Sequence, residues 1–171
     1  MRSFGSSGYL LREARVEVRL VYSGFLLLAL IGFVTMAAFE LRHIGPTPDR
    51  IAAYWRGGTR GAEMAFPKTF RELVELTHFH AFTMGILYLV LAHLFLATTA
   101  GERVKRLGIV LGFGGLVGDL VAVWLIRYVA AAFAWLQLAA WSAEWVGFGL
   151  YVYYPVKEMW FGQGRRGFPP E

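Results

Sequence analysis

The sequence predicts an all-α membrane protein, a four-transmembrane-helix bundle with a partly helical external segment between the first and second spans. Three observations carry that expectation. The 171 residues are 57% hydrophobic and only 17% charged, against about a quarter charged in an ordinary soluble domain, and the mean hydropathy is +0.48. The apolar residues fall in long blocks, each near the ~20 residues that cross the hydrocarbon layer. The basic residues gather at the ends of those blocks, as the positive-inside bias requires. The net charge of +5 is therefore a membrane signature and does not imply a nucleic-acid partner. The chain has no cysteine, which excludes disulfides, thiolate metal ligands, thiol catalysis and covalent c-type haem within it.

The elements follow in order along one domain, residues 1–171. Residues 1–19 are polar and basic (Arg2, Arg12, Arg15, Arg19), with Leu10, Leu11, Val16 and Val18 spaced for a short interfacial helix. The first span covers about 20–39. In the external segment 40–77, Pro46-Thr47-Pro48-Asp49 makes a turn. There Asp49 is placed to cap a short helix through Ile51 and Trp55 that Gly57-Gly58 ends. Thr69-Phe70-Arg71-Glu72 has the spacing of a capping box and opens the helix whose membrane part is about 78–98. A basic turn at 101–106 leads to a third span over about 107–129. A turn near 130–134 leads to a fourth over about 135–154. Trp124, Tyr128, Trp135, Tyr151, Tyr153 and Tyr154 stand near span ends, where interfacial aromatics collect.

Orientation follows from charge. The N-terminus, the turn with Arg103, Lys105 and Arg106, and the tail with Lys157, Arg165 and Arg166 share one side of the membrane. The expected location is a bacterial inner membrane with both termini cytoplasmic.

His78, His80 and His93 all fall on the second span, and intramembrane histidines are functional candidates by default. Residues two apart on a helix point about 200° from each other, so His78 and His80 cannot grip one ion together. His78 and His93 lie about 60° apart around the helix and roughly 22 Å apart along it. That arrangement presents ligands to the irons of a b-type haem protein at opposite membrane surfaces, with Gly85 giving room to a macrocycle. His43 is then the candidate axial partner for His78, with Met36 a poorer one, and His93 needs a second subunit. Glu75, one turn before His78, is placed to hold its second ring nitrogen. His78 is thus expected to matter more than His80. The other readings are a quinone pocket, and histidines that only hydrogen-bond across the bundle.

Asp119 and Glu144 sit near the middles of the third and fourth spans. Ionised and lipid-facing, each would cost about 3 kcal/mol, so both are expected to face inward. They suit a proton relay beside a quinone, or a buried pair that fixes helix register. Arg127 is placed to snorkel, hold a haem propionate or pair with Glu40. Gly108, Gly112, Gly114, Gly115 and Gly118 form small-xxx-small spacings that let helices approach closely.

Thr77-His78-Phe79-His80, Met84-Gly85, the Trp124-to-Ala134 turn region and Glu158-Met159-Trp160 together resemble an uncharacterised family of small four-span bacterial inner-membrane proteins. Some of its members carry a Cys-x-x-Cys-His haem motif in the external segment, which implies traffic with periplasmic electron transfer. This chain lacks those cysteines. The expected function is a small redox or respiratory-chain-associated protein whose second helix presents histidines to haem b or a quinone. Its expected partners are the lipid bilayer, further copies in a homo-oligomer or other membrane subunits, and a periplasmic cytochrome. A non-catalytic structural or assembly subunit is the alternative, and a proton-coupled carrier using Asp119 and Glu144 a third.

Overall fold

The helix that carries the histidines starts where its capping chemistry dictates. The computed structural model describes residues 10–60 and 63–162; Arg2, Arg165, Arg166 and Pro169-Pro170 lie outside the described residues. Thr69 accepts from the backbone N–H of Glu72, and Glu72 accepts from the backbone N–H of Thr69, so the expected box forms. It opens a helix over Phe70–Leu96. In order, the α-helices are α1 (Val16–Phe39), α2 (Pro48–Arg56), α3 (Phe70–Leu96), α4 (Glu102–Tyr128) and α5 (Ala134–Phe161). A two-stranded antiparallel hairpin, β1 (Gly58–Arg60) with β2 (Glu63–Ala65), lies between α2 and α3.

Three helical stretches are long and apolar enough to cross a membrane: Val16–Ile44, Phe70–Leu96 and Glu102–Tyr128. Helix α5 has the length but not the apolarity, because Gln137, Ser142, Glu144, Lys157 and Glu158 interrupt it. Short turns join α3 to α4 and α4 to α5, so these three run antiparallel. The closest approach is between α4 and α5. A Cβ added to Gly147 would lie 2.6 Å from the backbone nitrogen of Gly112, and one added to Gly112 would lie 2.6 Å from the Tyr151 hydroxyl. The glycine spacings of α4 are thus used for packing, as expected.

Helix α1 lies against this trio and touches it mainly at Leu26, Ala29, Phe33 and Ala37. Phe33 stacks on Phe148 at 4.0 Å between ring centroids. At its N-terminal end the indole N–H of Trp160 donates to Ser23 Oγ at 2.9 Å. The chain before α1 departs from the expected interfacial helix. Leu11–Glu13 is one 3-10 turn whose Leu11 N–H donates to Ala97 O at 3.0 Å, and Leu11 is buried against Met159 and Ala100. At its other end α1 runs into a π turn, Glu40–Ile44, and Ile44 is buried.

Helix α2 caps the end of the bundle away from the termini. Its N-cap is Thr47, whose side chain accepts from the N–H of Arg50, rather than the expected Asp49, which sits in the first turn. Proline at the first helical position puts the cap at Thr47, two residues earlier than expected, since its missing N–H needs no partner there. Ile51 and Trp55 bury against Leu73, Val123, Ile126 and Trp141. Arg56 donates to the carbonyl of Ile126 at 2.8 Å, which caps the end of α4.

Filling the α4–α5 contact should damage the fold selectively. Gly147→Leu is expected to cost at least about 1–3 kcal/mol through overpacking. Gly114→Ala, where an added Cβ meets nothing within 4 Å, should gain about 0.5–1 kcal/mol from helix propensity. Melting curves of the two variants in one detergent check this, and similar values for both would contradict the packing.

Candidate functional site

A cleft remains where α1 stands off from α3, α4 and α5. It has a volume of about 470 Å³, within the ~300–1,000 Å³ of small-molecule sites. Phe25, Leu28 and Phe33 of α1, Met84 of α3 and Trp141 and Trp145 of α5 give it apolar and aromatic walls. Four polar side chains reach it from four directions: Glu40 past the end of α1, His80 of α3, Asp119 of α4 and Glu144 of α5. Both ends of the bundle are closed, by α2 with Ile44 at one and by Leu11 with Met159 at the other. The flank of the cleft is lined by α1, whose Leu27, Leu30, Ile31 and Val34 are exposed.

Helix phase decides which histidine enters. Leu73 is buried, and His80 and Leu87 follow it at heptad spacing on the same seam. His80 Nδ1 lies 2.9 Å from the carbonyl oxygen of Leu76. A carbonyl only accepts, so Nδ1 carries the proton and Nε2 is left as the ring's free acceptor.

The other histidine of the pair lies elsewhere. His78 is on the outer surface beside Phe82, at 5.1 Å between rings. Glu75 is 2.7 Å from Arg71 in an i,i+4 ion pair and is engaged there, not with His78. His93 is also on the outer surface, with Nδ1 2.8 Å from Leu89 O. His43 stacks on Phe39, again outside the cleft. His78, His93 and His43, the expected haem ligands, thus all lie outside the cleft. Among the described residues no three His, Asp or Glu side chains are grouped to hold a metal ion. Gly85 is half-buried, a Cβ added there would meet nothing within 4 Å, and it does not line the cleft.

The acids behave differently from each other. Asp119 Oδ1 accepts from Gln137 Nε2 at 2.9 Å, and Gln137 Oε1 accepts from Trp55 Nε1 at 2.8 Å. Asp119 thus pairs with an amide and not with Glu144. Glu144 packs over Gly115, and its Oε1 is buried with no hydrogen-bond partner. Trp141 Nε1 faces the Asp119 carboxyl and the Tyr88 hydroxyl faces that of Glu144, each outside good hydrogen-bond geometry, and the Tyr151 hydroxyl is buried without a partner. Each such atom costs about 1–3 kcal/mol if left dry, and native proteins hold few of them. Arg127 does not reach Glu40: its Nε donates to the carbonyl of Lys68 at 2.7 Å.

Sequence reasoning missed Gln137, Trp141 and Trp55. Trp55 and Gln137 are 82 residues apart, and no local pattern joins them. A glutamine among the apolar residues of the first two turns of α5 was the one available signal.

A family model described as a transmembrane helical domain matches residues 45–166, which takes in α2 to α5 and the His80, Asp119 and Glu144 walls of the cleft. No curated protein and no solved structure matches the chain.

The two acids should respond oppositely to apolar replacement. Asp119→Leu is expected to cost about 1–3 kcal/mol, because the Gln137 amide loses its acceptor. Glu144→Met removes an oxygen that has no partner and should be neutral or raise the melting temperature. The reverse order of melting temperatures would show that Glu144 is the acid held by the fold.

Proposed function

The chain belongs to a family described as a transmembrane helical domain, and we propose that it is a small four-span inner-membrane protein of the respiratory chain that binds a quinone in its central cleft. Helix α5 is the fourth span in this reading. It is 28 residues long and packs along α4 through glycine contacts. The 40–77 segment is periplasmic and both termini are cytoplasmic, in keeping with the basic residues at the terminal end.

The observation that carries the proposal is the cleft itself: aromatic walls, closed ends, and His80, Asp119 and Glu144 at its polar centre. A quinone is a flat apolar ring that arrives from the bilayer and needs polar partners only at its oxygens. Its interconversion with the quinol moves two protons along with two electrons. His80 Nε2 and the Glu144 carboxylate suit the exchange of those protons. The electrons pass to or from a separate redox protein, another membrane subunit or a periplasmic cytochrome.

Haem b fits this cleft less well, since a bis-imidazole site needs a second histidine and only His80 lines it. The alternative of a structural or assembly subunit leaves unexplained a cleft with His80, Asp119 and Glu144 on its walls.

Trp141 and Trp145 line the cleft, so a short-tailed ubiquinone should quench the fluorescence of the purified protein in a saturable way. His80→Ala is expected to weaken that binding at least tenfold, while His78→Ala and His93→Ala leave it unchanged. Absence of saturable quenching would sink the proposal, and a Soret band in the same sample would favour haem instead. For topology, a reporter inserted near Gly57 should be periplasmic and one fused after Glu171 cytoplasmic; the reverse result would invert the orientation.

A further inference from the structure

The hydrogen-bonded chain from the cap to the cleft has a direction, and the direction has a consequence. Trp55 and Gln137 are 3% and 1% exposed, so neither has water to fall back on. The indole N–H can only donate, which forces Gln137 to turn its carbonyl oxygen to Trp55 at 2.8 Å. The other end of the same amide, Nε2, is thereby aimed at Asp119 Oδ1 at 2.9 Å. An amide N–H can only donate, so Oδ1 must remain an acceptor. Any proton that Asp119 carries is confined to Oδ2.

We infer that Gln137, clamped by Trp55, is a positioning residue that fixes which oxygen of Asp119 exchanges a proton, and that it links Asp119 to helix α2 of the cap. The two residues occupy different positions: Trp55 lies outside the apolar spans, in the nine-residue α2, while Asp119 lies well inside α4. A change in the charge of Asp119 alters how strongly Oδ1 accepts, and a hydrogen-bonded chain passes that change along its length. The amide cannot escape by flipping, because a flip would set Nε2 against the indole N–H. The chain therefore reports the state of the cleft to the cap, whatever ligand the cleft takes. Flanking α2, Gly45 at φ 99° and Gly57 at φ 80° hold backbone conformations that side-chain-bearing residues rarely adopt.

Other ionisable groups border the same cleft: His80 from α3, Glu144 from α5 and Glu40 from the turn after α1. The test must separate them from Asp119. The chain contains six tryptophans, so full-length protein in detergent with ¹⁵N-labelled indoles gives a countable set of side-chain signals. Trp55→Phe identifies the Trp55 signal by its loss. That signal is expected to move as pH is varied in the unaltered protein, and to become insensitive to pH in Asp119→Asn. The asparagine carbonyl still accepts from Gln137, so the fold is kept while the titrating group is gone. Gln137→Met, if it folds, should also remove the pH response. A Trp55 signal that ignores pH in the unaltered protein, or one that still moves in Asp119→Asn, would overturn the inference.

Discussion

The close contact of α4 with α5 governs where everything else in the bundle can go. Gly112 and Gly147 bring two backbones together with no side chain between them, and a bilayer offers no hydrophobic drive between helices to replace that packing. With one side of α5 flush against α4, its bulk is displaced to the other side. Trp145 and Phe148 project toward α1, where Phe33 meets both rings. Helix α1 is held off at that distance, and the space left over is the cleft. The same contact seats Glu144 over Gly115, so the polar centre of the cleft and the tightest packing in the molecule are set by one pair of helices.

The polar atoms around that centre run against the usual economy of a membrane interior. Tyr88, Trp141, Glu144 and Tyr151 each keep a buried polar atom without a hydrogen bond of good geometry. Phenylalanine, leucine or methionine would fill comparable space without the desolvation cost. Concentrated local violations of good packing chemistry mark sites where stability has been given up for something else. These four line the cleft or pack beside it. Two more, Arg12 Nε and Glu158 Oε1, lie at the far end of the bundle, where Thr99 donates to the other oxygen of Glu158 at 2.7 Å and Arg19 donates to the carbonyls of Arg12 and Ala14.

What could be read from the sequence was what depends on nearby residues. The Thr69–Glu72 box, the glycine stop after Arg56 and the close-packing glycines of α4 are short-range signals, and the structure contains all three. The rotation of α3 was not legible. Nearly every position from Phe79 to Leu96 is apolar, so no moment distinguishes the buried seam from the lipid face, and the side of α3 that faces the cleft, with His80 on it, is fixed only by the burial of Leu73, Tyr88 and Leu91. The capping of α2 turned on a choice between Thr47 and Asp49 that proline placement decides. The pairing of Asp119 with Gln137 instead of Glu144 depends on where Trp55 of a separate segment comes to rest, which is a tertiary fact. Helix α5, the expected fourth span, was recognisable as a helix by length and aromatics, although its polar residues keep it below the apolarity of α1, α3 and α4.

Helix α1 is fastened near both of its ends and propped near its middle. Trp160 holds Ser23 at one end, Ile44 is buried in the cap at the other, and Phe33 rests on Phe148 and Trp145 between them. On either side of that prop, Gly24 and Gly32 have nothing within 4 Å of where a side chain would begin. Mechanically this is a beam pinned at its two ends and propped between. Such a beam cannot swing open like a door; it can only bow. Gentle curvature is soft in long helices, so the width of the cleft is governed by the bending stiffness of α1, and that stiffness sets the thickness of what can slip in sideways. A flat molecule passes with little bowing, and a bulky one demands a deflection that the pinned ends resist.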